Sequence, residues 1–233
     1  MARSFGIVEQ KVEESEFFLT KLEESIDGSP VIQDPQFYLS AFASATRSIT
    51  FTIQASISDI KGFDEWYKHH QEILKANKLA RYFLEARNLS QKIGYYLIGG
   101  GRSYKDESGN YKSLYYFQTF NSKQLEYVPD EDVLTSCVSY FEILLAVVLD
   151  CYKVFGLEID PEQFFTYENL LNTKKTIEDF EEQAGYPRGH TAIPGYSIKQ
   201  RIELINSHHP KPTIDWIFEK YLGVNRFGEE VNF

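Results

Sequence analysis

The chain is poor in sulfur, with two cysteines and one methionine in 233 residues. Cys137 and Cys151 lie in one apolar helical stretch, and their spacing at about 1.5 Å of rise per residue separates them by roughly 21 Å. That distance excludes a disulfide between them, so they read as small buried apolar side chains of a reducing compartment. Positive charge is also in short supply. Lys and Arg number 24 against 34 for Asp and Glu, a net charge of −10. Such a balance repels phosphate backbones at long range, which excludes extensive wrapping by nucleic acid and leaves room for a local basic groove.

Long uncharged runs are missing as well. The most apolar stretch, CVSYFEILLAVVLDCYKVFG at 137–156, is interrupted by Glu142, Asp150 and Lys153. The uncharged segment between the two acids is too short to span a bilayer, so the reading is a helix buried in protein and no membrane association. MARSFGIVEQKVEESEFF at the start lacks the continuous apolar segment of a secretory leader, and the expectation is a cytoplasmic protein.

Motifs for common chemistries are missing too. No Cys/His spacing suits zinc, and His69 and His70, adjacent on a helix, diverge by about 100°. His190, His208 and His209 fall in loops. Gly99–Ser103, GGGRS, has permissive backbone but no following Lys-Ser/Thr pair, so it is not a phosphate-binding loop of the nucleotide-hydrolysing type. No Ser or Cys sits in a nucleophile elbow. Neither a metal nor a cofactor is expected.

What is present is a globular composition: 42% apolar, 25% charged, and 18 Phe with 16 Tyr, a core filled by rings. Helical periodicity runs over residues 9–27, stopped at Gly28-Ser29-Pro30. A second helix opens on Asp34-Pro35 and carries small residues around Ala41–Ala45. GFDEWYKHHQEILKA reads as a third and Leu79–Ile93 as a fourth. After Gly94, two aromatic β-prone runs flank turn residues Asp106–Asn110, a β-hairpin. A long helix from an Asp130 cap to about Phe155 follows, then a helix beginning at Asp160-Pro161, a Pro/Gly loop over 186–197, and two short helices. The domain reading is a bundle over 1–156, with the hairpin at about 95–120, and a helical extension over 157–233 packed on it.

On a wheel of about 100° per residue, Leu79, Tyr82, Phe83, Ala86, Leu89, Ser90 and Ile93 form one apolar stripe on the fourth helix. Arg81, Glu85, Asn88 and Lys92 cluster on the far side, toward solvent. Arg87 sits on the flank, and its direction differs from that of Lys92 by about 140°. One regular helix therefore does not aim both at a single small ligand. Arg47, in the small-residue helix, either joins a polar site with Arg87 or pairs with a carboxylate such as Glu85 or Glu142. The tyrosines Tyr95, Tyr96, Tyr111, Tyr115 and Tyr116 in the hairpin, with Arg102, Lys105 and Lys112, could pack, meet a second copy or stack on single-stranded RNA.

RNLSQK at 87–92, preceded by a small-residue helix with an embedded arginine and followed by a long apolar helix, resembles the HEPN superfamily over residues 9–156. That resemblance implies an up-and-down helical bundle, mainly α, and a homodimer. It also implies a toxin–antitoxin or phage-defence setting in which many members are metal-independent ribonucleases. The family motif is Arg, a polar residue, and a histidine a few positions on; Arg87 and Asn88 match it, and Lys92 stands where the histidine would. An unperturbed lysine is locked in its charged form and does not exchange protons near neutral pH as histidine does. The resemblance therefore points to a catalytically degenerate or regulatory member binding a partner protein or RNA. The alternatives are a ribonuclease with Arg87, Asn88 and Lys92 in a composite dimer site, with Arg47 supporting it, and a scaffold protein with no active site.

Overall fold

The computed structural model describes residues 5–28, 33–109, 111–119, 125–209 and 212–231. The protein is mainly helical with one small antiparallel sheet. The first five helices are α1 (Gly6–Gly28), α2 (Gln33–Ile57), α3 (Phe63–Ala76), α4 (Lys78–Ile93) and α5 (Val133–Ile159), with strands β1 (Ile98–Lys105) and β2 (Tyr111–Phe117) between α4 and α5. Five shorter helices follow: α6 (Pro161–Phe164), α7 (Tyr167–Thr173), α8 (Ile177–Gln183), α9 (Ile198–Ser207) and α10 (Asp215–Leu222).

Helix α5 is the axis of the bundle. Phe141, Leu145, Val148 and Cys151 on it are fully or almost fully buried, as are Val12, Leu22, Phe42 and Ile49 from α1 and α2. Helix α5 is long and apolar enough to cross a bilayer by length and composition, but more than half of that stretch is covered by the rest of the protein. Both cysteines are buried on it as free thiols. Rings fill the space between helices: Phe83 stacks on Tyr140 with centroids 4.4 Å apart, and Phe42 meets Phe83 and Phe141 edge to face.

Helix α10 closes this core with Ile217 and Phe218, together with Ile214 just before it. A second, smaller cluster gathers Phe165, Leu170, Ile177, Phe180, Ile202 and Ile205. Arg226, almost wholly buried, fastens the two regions. Its Nε donates to Asp160 at 2.9 Å, and its other nitrogens bind Glu162 and Asp215.

Three local expectations are corrected. Helix α5 is capped by Asp132, whose Oδ1 accepts from Leu134 and Thr135 N–H at 3.0 and 3.2 Å, and not by Asp130. The cap must adjoin the first helical residue, here Val133. Helix α2 begins at Gln33, which places Asp34 inside the first turn. The segment from Asp160 is three short helices instead of one. Asp160 does cap α6, but Thr166 caps α7, Lys174 ends it with a left-handed φ of 53°, and Thr176 forms a reciprocal capping box with Asp179.

The hairpin pairs Arg102 with Leu114 and Gly101 with Tyr115, with a bulge between Ile98 and Gly100. Of the expected turn, Asp106 accepts from Gly109 N–H at 2.9 Å, and Asn110 lies outside the described residues, as do Ser29 and Pro30. A Cβ on Gly101 would stand 2.6 Å from the Tyr115 ring, so this strand needs glycine for close packing.

Candidate functional site

The fourth helix of the sequence reading is α4, started by Asn77 capping Ala80 N–H and ended by Gly94 at φ 65°. Tyr82, Phe83 and Ala86 are buried along the expected stripe, Ala80 is buried outside it, and Ile93 at the stripe's end is largely exposed. Ser90 meets Ser40 of α2 at 2.8 Å. Small side chains on both helices permit that approach.

Arg87 is half-buried on the flank of this stripe. Its Nη1 donates to Asn88 Oδ1 at 3.2 Å, and its Nε is buried with no hydrogen-bond partner among the described residues. Lys92 is exposed in the last turn. Arg87 and Asn88 are thus in contact with each other, and neither they nor Lys92 lines the cleft that holds Arg47.

That cleft lies on the face of α4 the wheel assigned to solvent, which corrects the reading of Arg81 and Glu85. Helix α3 and residues 125–127 fold over it. Arg81 donates to Tyr127 Oη at 3.0 Å and Glu126 Oε2 at 2.9 Å, its guanidinium resting on the Tyr127 ring, and Glu85 accepts from Glu126 N–H at 3.3 Å. The cavity is about 380 Å³, bounded by α2, α3, α4 and α5. Arg47, Lys75 and Arg81 supply cations, Glu85 a carboxylate, and Leu74, Leu84, Leu144 and Val147 an apolar surface.

Arg47 pairs with neither Glu85 nor Glu142. It donates to Thr50 Oγ1 at 3.1 Å and covers the Phe51 ring at 4.3 Å, and no carboxylate pairs with it among the described residues. The walls are tied together. Tyr67 Oη donates to the Thr50 carbonyl at 3.1 Å, and Asp150 Oδ2 accepts from Trp66 Nε1 at 2.6 Å and lies 2.8 Å from His70 Nε2. Burial pushes the Tyr140 phenol up to about 12, against the pull of Arg47 beside it, so it stays protonated at neutral pH.

Among the described residues no cluster of three His, Cys, Asp or Glu side chains is placed to hold a metal. The hairpin rings divide: Tyr115 and Phe117 are buried in the core, whereas Tyr111 and Tyr96 face outward. Lys105 lies over Tyr111 at 5.0 Å and Arg102 over Tyr116 at 5.7 Å. Arg81, Glu85, Lys75 and His70 are the cleft residues that sequence reasoning missed. The available signal was the i,i+4 spacing of Arg81 and Glu85, opposite a third helix too amphipathic to stand alone.

The architecture is a helical bundle carrying a preformed cleft of mixed charge. A model of the family described as Bacteriophage lambda protein ea47 matches residues 30–96. No curated protein matches the chain. No solved structure matches it either. The matched segment runs from the start of α2 past the end of α4 and contains Arg47, Arg87, Asn88 and Lys92.

Proposed function

We propose that this chain is a phage-type, HEPN-like regulatory protein of the cytoplasm, working as a homodimer that engages a partner protein or nucleic acid in a toxin–antitoxin or phage-defence setting. Arg87 and Asn88 are its polar anchors. The observation that carries this reading is the state of Arg87. Among the described residues its guanidinium hydrogen-bonds Asn88 and pairs with no carboxylate, and its Nε is buried without a partner. An orphaned charged donor costs stability unless a ligand or partner supplies the missing acceptor. Lys92 lies out on the surface, where the family motif would have a histidine, and that replacement favours binding over catalysis. The phage-family match over α2–α4 supports the setting.

The second reading, a metal-independent ribonuclease with Arg87, Asn88 and Lys92 contributed by two subunits, is favoured by the divergence of Arg87 and Lys92 on one helix. A scaffold with no site is the third. Purified protein is weighed by light scattering and incubated with mixed RNA in EDTA. A dimer that leaves RNA uncut is the expected result, and a monomer at all concentrations overturns it. Cleavage lost on Arg87→Ala replaces it with the nuclease reading.

A further inference from the structure

We propose that the cleft between α2, α3, α4 and α5 binds a small amphipathic organic anion, one carboxylate or phosphate head on an aryl or acyl body, with Arg47 holding the head. This site is separate from Arg87 and does not rest on the reading given above.

Three cations line the cleft in a protein with a net charge of −10. Arg81 already has Glu126 and Tyr127. Arg47 has none of this: its polar partner is the neutral Thr50 hydroxyl, and its flat face lies on Phe51. A guanidinium carries five N–H donors in a fixed fork, and half-buried without an acid it presents that fork to an incoming carboxylate or phosphate. The anion is the group the protein leaves out.

The body of the ligand follows from the rest of the lining. Leu74, Leu84, Leu144 and Val147 offer apolar surface that a bare inorganic ion cannot use. A volume of about 380 Å³ is at the lower end of small-molecule sites, which run from roughly 300 to 1,000 Å³. Glu85 on the same lining disfavours a ligand with a second negative charge at its other end. The cavity is also held open in advance. Tyr67 ties α3 to the α2 backbone, and Trp66 and His70 tie it to Asp150 on α5, so the walls need not be ordered on binding.

The test uses the full chain carrying Trp216→Phe, which leaves Trp66, hydrogen-bonded to Asp150 beside the cleft, as the sole tryptophan. Octanoate and phenyl phosphate are titrated, with octan-1-ol and inorganic phosphate as controls, following Trp66 emission and melting temperature. At least one charged amphiphile saturates the emission change and raises the melting temperature, and which one does so fixes the head group. Both controls bind at least about tenfold more weakly. Arg47→Gln weakens the charged probe about tenfold or more. Leu84→Trp, followed by melting temperature because it adds a second tryptophan, places a ring in the cavity from a partly exposed position and blocks binding. No saturable signal from either amphiphile, octanol binding as tightly, or unchanged affinity in Arg47→Gln overturns the proposal. Should Arg47→Gln not fold, undiminished binding in Leu84→Trp overturns it alone.

Discussion

Arg226 and Asp160 meet at 2.9 Å with both side chains almost wholly out of water, and that pair joins the C-terminal turn to the junction of α5 and α6. Removing the guanidinium strands a buried carboxylate. Arg226→Ala is therefore expected to destabilise the chain by about 3–5 kcal/mol, whereas Arg226→Met with Asp160→Asn costs much less. Urea denaturation of the two variants measures the difference.

Glu181 gives the fold a pH dependence. Burial by itself would raise its pKa. The Thr191 hydroxyl and N–H, Arg201 and the Gly189 N–H outweigh that and bring it down to about 2. A folded value below the unfolded one contributes stability that is present above about 4.5 and lost as pH falls toward 2, on the order of 3 kcal/mol. The urea midpoint of the wild type should drop across that window. Glu181→Gln should start lower at neutral pH and show a flatter profile.

Arg87→Met separates stability from function. The change removes a buried unsatisfied donor and keeps the apolar stem, so unfolding free energy stays within about 1 kcal/mol of wild type or rises. Dimer formation or partner capture weakens. Sedimentation velocity and thermal melts on the same sample show whether the two properties part in this way.

Gly101→Ala tests the hairpin. The added Cβ would collide with the Tyr115 ring, which is itself buried in the core and leaves little room to turn aside. A loss of about 1–3 kcal/mol is expected, as for overpacking. Amide exchange should rise first in β1 and β2.

The bundle was legible because its signals are local. The apolar stripe of α4, the Gly94 stop and the aromatic hairpin follow from periodicity and turn chemistry within a few residues. The long helix was legible for the same reason, although its cap slipped between two acids two positions apart and it continues past a kink at Phe155 to Ile159. Three short helices were read as one because Thr166 and Thr176, which restart the chain each time, were passed over in favour of the apolar pattern. The cleft was not legible. Arg81 and Glu85 face water on an isolated helix and line a cavity only once α3 and residues 125–127 fold over them. A wheel has no knowledge of a neighbour that far along the chain.

Helix α10 packs Ile217 and Phe218 into the main core, and its Lys220 reaches Glu16 on α1 at 2.8 Å. Seen from the ribosome, α1 emerges well before α10. Until α10 leaves the exit tunnel, Tyr152 of α5 lacks the Phe218 ring that meets it edge to face, and the nascent bundle presents apolar surface to chaperones and proteases. Docking of α10 is then a late step in closing the core around α5.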